Sequence, residues 1–254
     1  MLRLVEMHPG ELSEAWARVC PAILPLGAIE WHGDHLPLGL DSLVAEAFCK
    51  RLAERLDGVL LPTLTLPITT LPHPHSLDAP SEIVTEAWKA TVGGLIRSGA
   101  RTVLIVTGHY AQGHCIELYR FAESMMVYRQ DFRVFAASPL EPLATDAFLD
   151  HAARFETSQL LAIRPDLVRL DAIQTLDPKQ SAILGEDPRD GSAGEGMQLL
   201  DDAVEAWSHW VQTANQAELR EWYAARQDAY QPYVEQYFRE SWEQAMNNWW
   251  ASKD

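Results

Sequence analysis

The seven residues Arg101-Thr102-Val103-Leu104-Ile105-Val106-Thr107 restrict the fold of this chain more than any other stretch. An aliphatic, β-branched run without polar alternation suits a strand covered on both faces, as in the middle of a parallel sheet. Residues 81–96 before it have helical spacing, with Ile83, Ala87, Val92, Leu95 and Ile96 as the expected inner face and Gly99 as the stop. Residues 22–28 form a short apolar run closing on a glycine, which predicts an earlier buried strand. Residues 59–66 also read as a strand, with Pro62 marking a start or edge position. Strand, helix and strand in this order make a βαβ unit, so the expected class is α/β with a mostly parallel sheet. Ligands in such sheets bind beyond the carboxyl ends of the strands.

The remaining elements follow the same pattern. Short helices are expected over residues 11–20 and 41–56, the latter with Leu43, Val44, Ala47, Phe48, Leu52 and Leu56 in phase and Gly58 ending it. A further helix over 115–128 turns Cys115, Ile116, Leu118, Tyr119, Ala122 and Met126 inward, and a strand covers 132–137. From Glu195 onward the chain reads as helix throughout. The glycine-rich segment 187–196 does not follow a strand as a nucleotide-binding loop would, so it is read as structural. At 254 residues, one sizeable core accounts for the chain. Residues 1–254 are therefore expected to form a single domain, with residues 200–254 as a Trp-rich helical tail.

Acidic residues outnumber basic ones by 36 to 20, a formal charge of −16 that disfavours nucleic acid and anionic membranes as partners. No run of 18 apolar residues is present, and Glu6 interrupts the amino terminus early, against a signal peptide. Three scattered cysteines, Cys20, Cys49 and Cys115, fit reduced thiols in a cytoplasmic protein. His114 and Cys115, being adjacent on a helix, do not face each other as a nucleophile and its base would.

Chemistry concentrates just after the first long strand. Within residues 29–41 lie Glu30, His32, Asp34, His35 and Asp41. Neutral imidazoles and carboxylates are the ligands taken by zinc, manganese or iron(II) in hydrolytic sites. Glu30 and His32, two apart on an extended segment, point to opposite sides and so suit two neighbouring ions, and Asp41 can bridge both with its two oxygens. The competing reading is a solvated loop in which Asp41-Ser42 caps the following helix. His109 follows the 101–107 strand at the same level. His73 and His75 lie in a proline-punctuated loop, residues 71–80, expected at the rim of a pocket.

The sequence resembles the creatininase family, creatinine amidohydrolases and relatives, whose signature Glu-x-His-Gly-x-His-Leu-Pro ends in an Asp at this spacing. Glu30, His32, Gly33, His35, Leu36, Pro37 and Asp41 match it residue for residue. The resemblance implies a single-domain three-layer α/β/α sandwich and makes His109 a metal ligand. Thr107 stands where the family has Asn, and Ala111 where creatininases proper carry a liganding Glu. The family's His-Ala-Gly-x-x-Glu-Thr-Ser run appears at 151–158 with Ala153 in place of Gly. By resemblance His151 sits over the substrate and Glu156 lies at the metal site. Ala147 takes the register of the tryptophan that covers the substrate in creatininases.

These readings converge on two divalent ions per subunit, zinc first, with manganese or iron(II) as alternatives, held by Glu30, His32, Asp41, His109 and Glu156. A bridging hydroxide would attack the carbonyl of a small amide, formamide or cyclic amide other than creatinine, with His151 as general acid. Two alternatives use the same ligands: hydrolysis of a cyclic ketone or lactone, and a non-catalytic metal-binding assembly protein. The expected partners are a small-molecule substrate and further copies of the chain, a hexamer by resemblance. Six of nine tryptophans follow residue 200, and Trp242, Trp249 and Trp250 near the end are read as part of a subunit contact, or as folding back over their own sheet.

Overall fold

A computed structural model describes residues 2–127, 131–143 and 149–237. Its strands are Leu2–Arg3 (β1), Ala22–Gly27 (β2), Val59–Leu60 (β3), Leu64–Thr65 (β4), Thr102–Thr107 (β5) and Arg133–Ala137 (β6). They form one parallel sheet in the order β1-β3-β2-β5-β6, with β4 also pairing β2. Every residue of β2 and β5 is buried, as the aliphatic run of 101–107 predicts.

The main helices are Pro9–Ala17 (α1), Leu40–Leu56 (α2), Ser81–Ser98 (α3), Gln112–Met126 (α4), Arg154–Ile163 (α5), Pro178–Ser181 (α6), Ala193–Thr213 (α7) and Gln216–Tyr237 (α8). α2, α5 and α7 pack together, and so do α3, α4 and α8. With the sheet between these groups the architecture is the expected three-layer α/β/α sandwich.

Four local expectations need correction. Residues 59–66 do not form one strand. Pro62 has no N–H for the ladder, and the register against β2 slips by one residue between β3 and β4. Asp41 does not cap α2: Gly39 holds the cap position, and Asp41 lies in the first turn. The helix ends at Leu56 with the left-handed turn on Asp57 (φ 50°), not on Gly58. In α3 the buried face is Val84, Trp88, Val92 and Leu95, while Ile83 is 58 % exposed, so the helix is rotated by one position. Burying the indole of Trp88 removes far more apolar surface than burying Ile83, and this sets the rotation.

The helical reading from Glu195 onward holds among the described residues except for a break between α7 and α8 at Ala214 and Asn215. Asn215 accepts from the N–H groups of Ala217 (2.8 Å) and Glu218 (3.2 Å), and Glu218 accepts from the N–H of Asn215 at 2.8 Å. That reciprocal cap starts α8 afresh. Trp207, Tyr223 and Tyr230 are buried in the chain's own core, with Trp210 and Trp222 packed against it. Tyr223 Oη donates to Val134 O (2.7 Å) and accepts from Ala136 N–H (2.8 Å), covering the outer edge of β6. These aromatics pack within their own subunit. Trp242, Trp249 and Trp250 lie outside the described residues.

Candidate metal centre

The parallel pairing of β2 with β5 brings their carboxyl ends side by side, Leu26 opposite Thr107. Beyond β2 the chain makes a loop closed by the Glu30 N–H on Leu38 O (2.9 Å) and enters α2, whose first turn holds Asp41. Beyond β5, Gly108 lies so close to α2 that a Cβ there would stand 2.1 Å from Asp41 O. Only glycine permits that approach, and it brings His109 to Asp41. Gly33 turns the loop with φ +70°, where a Cβ would stand 2.5 Å from Ser181 O.

Six predicted site residues come together here. Among the described residues, three groups place one donor atom from each of three side chains within 4.8 Å of one another. They are Glu30, Asp41 and His109; His32, Asp41 and Glu156; and Glu30, His32 and His151. Glu30, His32, Asp41, His109 and Glu156 are all buried. His109 Nδ1 lies 2.8 Å from Glu30 Oε2 and 3.3 Å from Asp41 Oδ2. His32 Nε2 lies 3.1 Å from Asp41 Oδ1 and 3.6 Å from Glu156 Oε2. Asp41 thus turns one oxygen to each histidine, while Glu30 and His32, expected to point to opposite sides, also fall together in the group with His151.

Each histidine is oriented by a backbone carbonyl. His32 donates its Nδ1–H to Glu30 O (3.0 Å), and His109 donates its Nε2–H to Ile68 O (3.0 Å). A carbonyl only accepts, so in the neutral rings His32 Nε2 and His109 Nδ1 bear lone pairs aimed at carboxylates. Lone pairs facing carboxylates repel unless a positive charge lies between them. His32 Nε2 and both Asp41 oxygens are buried without a hydrogen-bond partner, which is what ligand atoms aimed at a cation look like. The donor set, two imidazoles and three carboxylates, fits zinc, manganese or iron(II).

The electrostatics agree. Burial alone would depress His32, but Asp41, Glu156 and Glu30 outweigh it and raise its pKa to about 10 when only protons balance the carboxylates. Burial likewise opposes, and Glu30 and Asp41 overcome, a rise at His109. Glu156 is pushed well up by burial, with Asp150 and Asp41 adding to it against the pull of His32.

The third segment docks from the other side. Glu156 accepts from Ala152 N–H at 2.6 Å, and Asp150 accepts from the N–H groups of Phe155 (2.7 Å) and Glu156 (3.2 Å), fixing the start of α5. Ala152 adopts φ 51°, and His35 donates its Nε2–H to Ala152 O at 2.9 Å. His35 therefore shapes the turn after His151 and joins none of the three groups. Ala153 has φ −109°, a conformation open to any residue, so its replacement of glycine is accommodated. His151 stacks on His32 at 4.3 Å between ring centroids and donates its Nε2–H to Trp31 O at 3.0 Å.

Thr107, a departure from the family pattern, fastens the backbone of His109: its hydroxyl donates to His109 O (3.0 Å) and accepts from His109 N–H (3.1 Å). Ala111 takes the cap position of α4. His73 stacks on Trp31 at 4.5 Å and His75 lies edge-on to His73, so neither joins the three groups. Ala147 lies outside the described residues. Sequence reasoning missed Ile68 O, Ala152 O and the Leu71 N–H, which donates to Glu30 Oε1 at 2.6 Å. Backbone groups leave no residue-type signal.

The family model for creatininase, described as creatinine amidohydrolase, matches residues 5–211. The chain belongs to the creatininase family. Creatinine amidohydrolase from Pseudomonas putida is 33 % identical over 195 residues, 65 % of this chain and 74 % of that protein. Mycofactocin precursor peptide peptidase from Mycobacterium ulcerans (strain Agy99) is 28 % identical over 235 residues, 79 % of this chain and 88 % of that protein. Two solved creatininases, one a mutant of Zn-Zn type and one named for manganese, each superpose with a TM-score of 0.72 at 24 % identity. Both comparisons cover 83 % of this chain, against 96 % and 97 % of the respective creatininases. Creatininase-family membership makes this chain a metal-dependent hydrolase of C–N bonds. Among the described residues no helix is long and apolar enough to cross a membrane.

Proposed function

We propose that this chain is a dinuclear amidohydrolase cleaving a small amide, formamide or cyclic amide other than creatinine. The observation that carries the reading is Asp41: two buried, unpartnered oxygens, each facing a histidine nitrogen whose ring is already anchored through its other N–H. Glu30, Asp41 and His109 would hold one ion and His32, Asp41 and Glu156 the other, zinc first, manganese or iron(II) otherwise. Two divalent ions so held would polarise a carbonyl and lower the pKa of a bound water from near 16 toward about 7.

His151 handles the proton. Burial holds the pKa of His151 below the ordinary imidazole value, and positive charge at the His32 position adds to this, so the ring is neutral near pH 7. With Nε2–H donated to Trp31 O, Nδ1 carries the lone pair. A neutral imidazole takes a proton from the attacking water and returns it to the departing nitrogen, so His151 serves as base before it serves as acid. Burial of the ligand side chains excludes bulk water, which strengthens each of these interactions.

Ala111 argues against creatinine: a methyl stands where creatininases carry a liganding carboxylate, so this centre differs from theirs. The peptidase relative, matched over 79 % of this chain, favours a second reading in which the scissile amide belongs to a peptide. The proposal includes a small-molecule substrate, a homo-oligomer (hexameric by family resemblance) and a cytoplasmic location. The charge of −16 supports the absence of nucleic-acid and membrane partners.

The test is elemental analysis together with a substrate panel, before and after chelation. We expect two ions per chain and metal-dependent release of amine or ammonia from a formamide, lactam or N-acyl amine, with creatinine near background. Robust creatinine turnover would overturn the substrate assignment. Two bound ions without any C–N cleavage would favour the ketone or lactone hydrolase, or the assembly protein.

A further inference from the structure

We infer that His114 is a positioning residue for the metal centre, fastening the backbone segment that orients His109 and Glu30. The inference rests on the reading of Glu30, Asp41 and His109 as one ion's ligands. His114 lies in the first turn of α4 and is fully buried, and the proposed hydrolysis makes no use of it.

Its Nδ1 accepts from Ile68 N–H at 3.2 Å, while Ile68 O accepts from His109 Nε2–H at 3.0 Å. Residue 68 is thus held between two imidazoles, one fixing its N–H and the other relying on its carbonyl. The chain then passes through Thr69 at φ 65°, a left-handed conformation that β-branched residues avoid. Two residues later Leu71 N–H reaches Glu30 Oε1 at 2.6 Å. Four consecutive residues therefore orient two of the three side chains in one set, across a strained turn. Such a turn persists only where surrounding contacts impose it. His114 fixes its start, and Asp78 fixes its middle by accepting from Thr70 N–H at 3.0 Å.

The chemistry of the contact is specific. A backbone N–H only donates, so His114 Nδ1 must be a bare acceptor and the ring must be neutral, with its proton on Nε2. The ring is wedged edge-on between His109 (5.1 Å between centroids) and Trp88 (5.3 Å). A phenyl ring would fill this wedge and offer no acceptor. An asparagine places its carbonyl oxygen close to the position of Nδ1, whereas the amide of a glutamine extends past it.

Zinc affinity of each ion in the full chain, measured by chelator competition beside the melting temperature, tests this. H114F should weaken one ion by about 10–100-fold, the usual effect of losing a group that orients a ligand. The weakened ion should be the one that His109→Ala abolishes, with the other unchanged. H114N should return the affinity to near wild type. If H114F does not fold, H114N against H114Q gives the same contrast. A lowered melting temperature with both ions held at wild-type affinity, or equal weakening of both, would overturn the inference and leave His114 as packing alone. A wild-type chain that binds no divalent ion would overturn the proposed function and this inference with it.

Discussion

Asp41 presents Oδ1 to His32 at 3.1 Å and Oδ2 to His109 at 3.3 Å, and the two histidines should therefore fail separately when removed. His32→Ala and His109→Ala should each bind close to one ion per chain and lose activity, with circular dichroism unchanged. Two ions retained by either variant would remove that residue from the ligand set. The same contacts make a prediction about pH. The folded-state pKa of His32, about 10, lies above its ordinary 6.5. Its stabilisation is fully present below about pH 6.5 and is lost as the pH rises toward 10. His109 is shifted the same way, whereas Asp41, held low against burial by His32 and His109, loses its contribution only in acid. The chelated protein should therefore melt at falling temperatures from pH 7 to pH 10, and the zinc-loaded protein should not, because a cation replaces the proton. Parallel curves for the two forms would contradict this.

At the scale of elements, α7 and α8 finish a sheet that the βαβ units leave partly uncovered. Trp207 packs edge-on to Phe48 of α2 at 6.1 Å and donates its indole N–H to Pro139 O at 3.1 Å. Glu141, buried nearby, accepts from Ser138 N–H at 2.6 Å and from the hydroxyls of Tyr119 and Tyr230, pinning the segment that leaves β6. Trp207→Ala would empty one of the largest buried sites in the core and strand the Pro139 carbonyl. The expected loss is about 3–5 kcal/mol, read by urea denaturation, with metal stoichiometry preserved in the folded fraction. A loss under about 1 kcal/mol would mean that the site collapses around the cavity.

At the scale of the whole molecule, the residues that bear on assembly are the last tryptophans. Trp242, Trp249 and Trp250 lie beyond the described residues, and the aromatics before them are occupied within their own subunit. A chain lacking residues 240–254 should therefore keep its fold and show a lower mass by light scattering if that stretch forms a subunit contact. An unchanged mass would move those tryptophans onto their own subunit. The formal charge of −16 adds repulsion between copies. Raising the salt concentration screens this repulsion and should strengthen association between copies.

Strands β2 and β5 were legible because continuous burial demands continuous apolarity, and β6 because its apolar run Val134-Phe135-Ala136-Ala137 stops at Ser138-Pro139. The five proposed ligands were legible as residue types because ions need nitrogen and carboxylate donors, and the motif supplied their spacing. The expectation about partners also rests on sequence alone, since charge is additive and needs no fold. Other features depended on contacts between distant segments. The rotation of α3 followed from which neighbour could bury Trp88, and the break before α8 from a cap formed only when Asn215 and Glu218 meet. The meeting of Asp41 with His109 required a backbone approach at Gly108 that no local pattern announces. Ile68 and Ala152 orient site residues through carbonyls that every residue possesses. Side-chain chemistry is written in the sequence, whereas backbone donors and acceptors acquire a role only where the tertiary fold places them.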